Sequence, residues 1–148
     1  MKSFKDKVVV ITGASSGIGR QLALDLAGKG AILILIARSN ERLADLKSYI
    51  EKKFNNIKVE IFSLDIGNEN MVKKIAKIIQ DKYNVDILIN NAGEAYYGHT
   101  LNADIDKWKQ MMNTNYWGTI YLCFSFLPRM VEINKGYIIN VASIAGLK

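Results

Sequence analysis

The sequence predicts an α/β fold: a doubly wound, five-stranded parallel sheet with helices on both faces, in three α/β/α layers. Short apolar runs of strand length alternate with longer segments whose apolar residues recur every three or four positions. The first run passes through a glycine-rich turn directly into a helical pattern. Strands separated by helices pair in parallel through right-handed crossovers, which place helices on both faces of the sheet.

The first predicted β-α-β unit fills the beginning of the chain. Residues 7–12 are an apolar run of strand length. Residues 21–29 carry apolar side chains at helical spacing, and Gly30 marks the end of that helix. Residues 31–37 are continuously aliphatic, which indicates a strand that is buried on both faces.

Two further amphipathic helices are predicted over residues 41–54 and 70–82, with a third strand at residues 58–64 between them. In each helix the apolar residues keep to one face, which we expect to pack against the sheet. The expected inward residues are Leu43, Leu46, Tyr49 and Ile50 in the first helix and Val72, Ile75, Ile78 and Ile79 in the second.

The last part of the chain predicts a fourth strand at residues 86–89 and a fifth at residues 137–141. Between them, helices are predicted at residues 106–112 and 117–131. The segment 117–131 is apolar on nearly every face, unlike a helix at the surface of a globular protein. Cys123 in this segment is expected to be a buried thiol that behaves as a small apolar side chain.

Composition limits the classes of function. The 148 residues, of which 49% are hydrophobic, fit one domain spanning 1–148 without a linker. The net charge is +6, but the lysines are scattered among acidic residues without an aromatic platform, so we expect no nucleic-acid partner. The short apolar runs and the single cysteine predict a cytoplasmic protein with no membrane partner. One histidine and one cysteine suggest no metal site.

The turn that follows the first strand, residues 12–19, has the sequence Thr-Gly-Ala-Ser-Ser-Gly-Ile-Gly. The unpaired N–H groups and the positive dipole end of the following helix favour a bound diphosphate here. Gly13 permits a tight turn, Gly17 lets a phosphate approach the backbone, and Gly19 lets the helix lie close to the strand. No Gly-Lys-Ser/Thr ending follows, so a dinucleotide is favoured over a nucleoside triphosphate. The residues of this turn that we assign to dinucleotide binding are Gly13, Ser15, Ser16, Gly17, Ile18 and Gly19.

The residues after the second strand indicate which dinucleotide binds. Arg38 and Ser39 stand where the adenosine ribose meets such a fold. An acidic side chain there would favour the 2′-hydroxyl of NAD, whereas an arginine favours the 2′-phosphate of NADP. We therefore predict NADP(H) in preference to NAD(H) as the cofactor, the alternative being that Arg38 is an ordinary surface cation.

Two later strand ends carry further candidate cofactor residues. Asp65, followed by Ile66, comes after the third strand, and its carboxylate either accepts from the adenine amino group or caps the next helix. After the fourth strand, Asn91, Ala92 and Gly93 offer a side-chain amide and a close approach for a cofactor ribose. The alternative for this second group is an ordinary Asn/Gly turn.

In order and spacing, these motifs resemble the N-terminal portion of the classical short-chain dehydrogenase/reductase family. The resemblance covers the whole chain and rests on the glycine turn, Asp65, residues 90–93, Asn115-x-x-Gly118 and Ser143-x-x-Gly146. It implies a Rossmann-type sheet and NAD(P)-dependent hydride transfer to or from a small carbonyl or alcohol substrate. It assigns Ser143 to the substrate oxygen and Asn115 to a water in the proton relay, although Asn115 could instead kink or cap its helix.

The family's Tyr-x-x-x-Lys motif, which supplies the proton donor, would follow Ser143, but the chain ends at Lys148. The 148-residue polypeptide is therefore expected to be inactive by itself. Either it is the cofactor-binding portion of an oxidoreductase, or it is a noncatalytic NADP-binding or interaction module.

The resemblance also bears on the surroundings of the site. Residues 94–99 are expected to border the substrate. The helix at 117–131 corresponds to a dimer interface in the family, which predicts a homo-oligomer. Burial of this helix beneath further chain is the competing explanation for its apolar surface.

Overall fold

The sheet is five-stranded and parallel throughout, with the strand order β3-β2-β1-β4-β5. It was obtained as a computed structural model that describes residues 3–143. The strands are β1 (Val8–Thr12), β2 (Ile32–Ala37), β3 (Val59–Ser63), β4 (Ile87–Asn90) and β5 (Tyr137–Asn140). This order brings the carboxyl ends of β2 and β4 to either side of the end of β1. The predicted doubly wound parallel sheet is confirmed.

The helices lie on both faces of the sheet. They are α1 (Gly17–Ala27), α2 (Asn40–Lys53), α3 (Glu69–Lys82), α4 (Ile105–Met112) and α5 (Thr119–Glu132), with a short 3₁₀ turn at Thr100–Asn102. Successive residues of a strand point to opposite faces, so β1 and β2 contribute side chains to two separate cores. One core joins the sheet to α1 and α2, and the other joins it to α3 and α5.

The two helices predicted at 106–112 and 117–131 are confirmed, and they are parts of one continuous helical stretch. A π turn at Asn113–Gly118 joins α4 to α5. Gly118 is buried in this turn, and a Cβ there would lie 2.7 Å from Cγ1 of Ile66. The close approach lets the helical stretch pack on the segment after β3 without a break in the chain.

The α5 helix differs from its prediction in how it is buried. Leu122, Phe126 and Met130 form one buried stripe, whereas Phe124 is 78% exposed and Val131 is 68% exposed. Cys123 is half-buried rather than fully buried. Within residues 3–143, none of the helices is both long and apolar enough to cross a membrane.

Candidate functional site

A cavity of about 390 Å³ lies over the carboxyl ends of the central strands. This is within the usual volume range of small-molecule sites. Its walls come from the turn after β1, the ends of β2, β3 and β4, and the π turn. The lining residues are Gly13, Ser15, Ser16, Gly17, Ile18, Ile36, Ala37, Arg38, Ser39, Arg42, Leu64, Asp65, Ile66, Asn91, Ala92, Gly93, Glu94 and Thr114.

Twelve of the thirteen residues that the sequence assigns to the cofactor therefore line one cavity. The thirteenth, Gly19, is buried beneath it, and a Cβ at this position would overlap the carbonyl oxygen of Gly13. Gly13 itself has φ +65° and packs closely on Ala92. Gly17 has φ +51° with open space where a Cβ would be. Gly13 thus permits the tight turn, Gly17 leaves the backbone open to a ligand, and Gly19 lets α1 pack closely on the turn.

The amino end of α1 opens onto this cavity with its backbone donors unmatched. Ser16 is the N-cap residue, but its side chain makes no capping hydrogen bond, and the first turn carries no acidic residue. The first N–H that reaches a helical acceptor is that of Arg20, which donates to the Ser16 carbonyl. The preceding N–H groups and the helix dipole together favour an anion such as a diphosphate.

Thr12 braces the floor of the cavity. Its hydroxyl oxygen accepts from the backbone N–H groups of Asn91 and Ala92, both at 3.0 Å. The Asn91 side-chain amide donates to the Thr12 carbonyl at 2.9 Å. The Asn91 amide is thus engaged in joining β1 to the turn after β4. Sequence reasoning did not select Thr12, a buried polar residue at a strand end.

Asp65 does not cap α3, so that sequence alternative is wrong. Its Oδ1 accepts from the backbone N–H of Gly67 at 2.9 Å, which closes a short turn. The cap is Asn68, whose Oδ1 accepts from the Met71 N–H at 3.1 Å. Asp65 is exposed at the cavity wall, while its neighbour Ile66 is buried.

Two arginines stand at the outer end of the cavity, after β2. Arg38 is exposed and forms an ion pair with Glu94 across the cavity. Ser39 is the N-cap of α2 and accepts from the Arg42 N–H at 3.4 Å. Arg42 also lines the cavity, but the sequence analysis did not select it. Its position in the first turn of the helix after Ser39 could have indicated that it lies near Arg38.

The two residues assigned to catalysis lie off the cavity wall. Asn115, in the π turn, binds the backbone of Glu94 twice: its Oδ1 accepts from the N–H and its Nδ2 donates to the carbonyl, both at 2.8 Å. Ser143 follows β5 and is exposed. Gly146 of the same sequence pattern lies outside the described residues.

One Tyr-x-x-x-Lys pattern that the sequence analysis passed over does occur, at Tyr49 and Lys53 on α2. The Lys53 ammonium donates to the Tyr49 hydroxyl at 3.4 Å. Both residues are exposed, and neither lines the cavity. Within the part of the chain that the structure describes, no group of three or more His, Cys, Asp or Glu residues could hold a metal ion.

Comparisons with known proteins agree with this geometry. A family model described as short chain dehydrogenase matches residues 7–148. An uncharacterized oxidoreductase of Staphylococcus saprophyticus is 35% identical over 100% of this chain. The chain spans 63% of the length of that relative.

The solved structures that share the fold include two with a bound dinucleotide. L-sorbose reductase from Gluconobacter frateurii, complexed with NADPH and L-sorbose, superposes with a TM-score of 0.91 at 30% identity, covering 98% of this chain and 55% of its own. A metagenomic short-chain oxidoreductase in complex with NADP gives a TM-score of 0.91 at 29% identity, covering 98% of this chain and 66% of its own.

Proposed function

The chain belongs to the short-chain dehydrogenase family, and from that premise we propose that it is the cofactor-binding portion of an NADP(H)-dependent oxidoreductase. The substrate would be a small carbonyl compound or alcohol. The observation that carries the proposal is the meeting of an uncapped helix N-terminus with two arginines in one cavity. When bound, the nicotinamide supplies or accepts the hydride.

The backbone of the glycine turn would hold the diphosphate of the dinucleotide. Gly17 supports this assignment, because the space beside its Cα is open and a phosphate could approach the backbone there. The uncapped N–H groups of α1 would donate to the phosphate oxygens. Asp65 and Ile66 would border the adenine, because both line the cavity. The Asp65 side chain is exposed there and could accept a hydrogen bond from the adenine amino group.

The preference for NADP(H) over NAD(H) rests on charge. Arg38 and Arg42 place two cations at the end of β2, where a 2′-phosphate would be recognised. The two related structures contain NADPH and NADP. An exposed guanidinium recognises a phosphate through charge-assisted, often bidentate hydrogen bonds, which a ribose hydroxyl cannot match in charge.

We also propose roles for the two residues that the family resemblance assigns to catalysis. Ser143 would donate a hydrogen bond to the substrate oxygen and stabilise the charge that develops on it. Asn115 would orient the turn at Glu94 through its two hydrogen bonds, next to the water that the family resemblance implies. We expect the 148-residue polypeptide by itself to turn over no substrate. Its cytoplasmic location is a separate prediction from the sequence.

The experiment is a titration of the purified chain with NADPH and NADH, followed by the fluorescence of the reduced nicotinamide. For Arg38→Leu we expect NADPH to bind about 10- to 100-fold more weakly, because hydrogen bonds to charged groups contribute about 1.5–3 kcal/mol. NADH binding should not weaken. Arg129→Leu, on α5 and away from the cavity, is the matched control.

Three results would each count against a part of the proposal. Binding of neither dinucleotide to the wild-type chain would remove the dinucleotide-binding function. Equal loss of NADPH and NADH affinity in Arg38→Leu would remove the preference for NADP(H). Binding of NADPH by a full-length natural protein that never oxidises it would instead favour the noncatalytic module.

A further inference from the structure

The ion pair between Arg38 and Glu94 joins opposite walls of the cavity. Arg38 follows β2 and Glu94 follows the turn after β4, and these two strands flank β1 in the sheet. Nη1 of Arg38 contacts Oε1 of Glu94, and both residues line the same cavity. The pair therefore crosses the space above the end of β1, between the two walls.

Glu94 is held firmly in this position. Asn115 fixes its backbone N–H and carbonyl through two hydrogen bonds of 2.8 Å. The second carboxylate oxygen, Oε2, accepts from Nε2 of Gln110 on α4 at 2.9 Å. Its side chain is only 21% exposed, whereas that of Arg38 is 57% exposed. Arg38 is thus the more exposed partner, and Glu94 is the one held by further hydrogen bonds.

A carboxylate in this place works against the rest of the cavity. The glycine turn and the α1 N-terminus favour an anion, yet Glu94 brings a negative charge to the same walls and occupies the guanidinium that would meet a phosphate. A dinucleotide that lies over the end of β1 must part Arg38 from Glu94. The 2′-phosphate of NADP can then replace the carboxylate as the partner of Arg38, and a 2′-hydroxyl cannot.

We propose that Arg38 and Glu94 form a latch across the cavity that closes in the free protein and opens when a dinucleotide binds. The inference rests on the proposed function and extends it by assigning Glu94 a role in cofactor affinity. Glu94 lowers the affinity for both dinucleotides, because each must break the ion pair. Only NADP(H) gives Arg38 a new anionic partner in exchange.

The variant that tests the latch is Glu94→Gln, which keeps the size of the side chain and removes its charge. Exposed ion pairs contribute modestly, so we expect NADH to bind roughly two- to fivefold more tightly to this variant. NADPH should gain at least as much, because a repelling carboxylate is also lost. In an Arg38→Leu background the latch is already open, so Glu94→Gln should tighten NADH binding less than it does in the wild type. Only the part that comes from the lost repulsion between the carboxylate and the diphosphate should remain.

Glu51→Gln is the matched control. Glu51 forms an exposed ion pair with Lys47 along α2, outside the cavity lining, and this variant removes the same charge. We expect it to leave the affinity for both dinucleotides unchanged. A tightening equal to that of Glu94→Gln would show that net charge, and not the latch, governs binding, and would overturn the proposal.

A measurement without ligand tests the ion pair directly. Urea unfolding of the wild type, Arg38→Leu, Glu94→Gln and the double variant gives the coupling between the two side chains. The latch requires a favourable coupling, so the double variant should lose less stability than the two single losses added together. A coupling of zero would overturn the proposal whatever the binding data show.

The dinucleotide titrations and the ligand-free unfolding measurements together distinguish a failure of the latch from a failure of the proposed function. If the wild type binds NADH and NADPH and Glu94→Gln binds NADH equally, the latch is wrong and the proposed function stands. If no variant binds either dinucleotide, the proposed function fails. The latch as a dinucleotide-operated device then fails with it, even where the ligand-free coupling persists.

Discussion

Gly17 and Gly19 show at the residue scale that two glycines of one turn are required for different reasons. A Cβ on Gly19 would overlap the Gly13 carbonyl and lie 2.5 Å from Nδ2 of Asn91. Gly19→Ala is therefore expected to lower the free energy of unfolding by about 1–3 kcal/mol through overpacking. Gly17→Ala meets only open space, so its expected loss is about 1 kcal/mol, from the positive φ of +51°.

Urea unfolding and NADPH titration together distinguish these roles. Gly17→Ala should weaken NADPH binding more than its small loss of stability explains, because its methyl group projects into the open space. Gly28→Ala, at the other end of α1, is the control: its φ of −62° suits alanine, and its Cβ would lie 3.3 Å from the Phe54 ring. A larger loss of stability in Gly17→Ala than in Gly19→Ala would contradict this account.

The sequence predicted a contact in the site only where a single residue type suits that position, as glycine does in the turn. Gly13 and Gly17 adopt a positive φ, which glycine permits at no steric cost, and their spacing located the turn from the sequence. Asp65 and Asn68 both suit a helix cap, and only the geometry shows that Asn68 holds the position. Glu94 meets Arg38 through the tertiary fold, 56 positions apart, so no local pattern could reveal the pair.

At the element scale, the π turn between α4 and α5 positions the segment after β4. Asn115 projects from this turn and binds the Glu94 backbone through both ends of its amide. Asn115→Ala removes both hydrogen bonds, each contributing about 0.5–1.5 kcal/mol. We expect the Glu94 amide to exchange its hydrogen about tenfold faster or more, measured by hydrogen exchange. Asn113→Ala, in the same turn, should leave that rate unchanged.

The π turn also explains why the helical pattern of the sequence is interrupted between residues 112 and 117. Residues 113–116 are Asn, Thr, Asn and Tyr, which have weak helix propensity and interrupt the apolar spacing. Tertiary contacts decide the outcome, since Gly118 packs against Ile66 and keeps the helical path continuous. The β-strands were easier to predict, because long aliphatic runs between helices have few other solutions in a fold of this class.

Asp86 joins three elements at the amino end of the sheet, opposite the cavity. Its carboxylate accepts from the Val8 N–H at 3.0 Å and pairs with Lys7 at 3.3 Å and Lys135 at 2.7 Å. Burial alone would raise the pKa of Asp86. The hydrogen bonds from Lys135, Val8 and Lys7 outweigh it and lower the pKa below the usual 3.8. The charged form is therefore the one that stabilises the fold.

Asp86→Asn is expected to lower the free energy of unfolding by about 1–3 kcal/mol at pH 7, because hydrogen bonds to a charged group are lost. A lowered pKa means that this contribution is complete above the unfolded pKa, near 3.8, and is lost as the pH falls through the folded value. Urea unfolding at pH 7 and at pH 3 should show the gap between wild type and variant narrowing in acid. The exposed Asp45→Asn should show no such gap at either pH.

At the scale of the whole molecule, two of the apolar surfaces that residues 3–143 leave exposed bear on association. One is the outer face of α5, where Phe124 and Val131 are exposed together with Leu127. The other is β5, which lies at the edge of the sheet with Tyr137 and Ile139 exposed. Apolar patches of this kind favour association, and an open strand can also pair with another strand. The two surfaces make different predictions about how copies of this chain meet.

We expect the chain to form a homo-oligomer through α5, because this helix presents several large apolar side chains in a row. The double variant Phe124→Lys/Val131→Lys leaves the buried stripe of α5 intact and should shift the sedimentation of the chain to that of a monomer. Tyr49→Lys, at an exposed position on α2, is the control and should leave the mass unchanged. A wild-type monomer would rule out the homo-oligomer. Association that survives the double variant would point to pairing along β5, since backbone hydrogen bonds there do not depend on the side chains of α5.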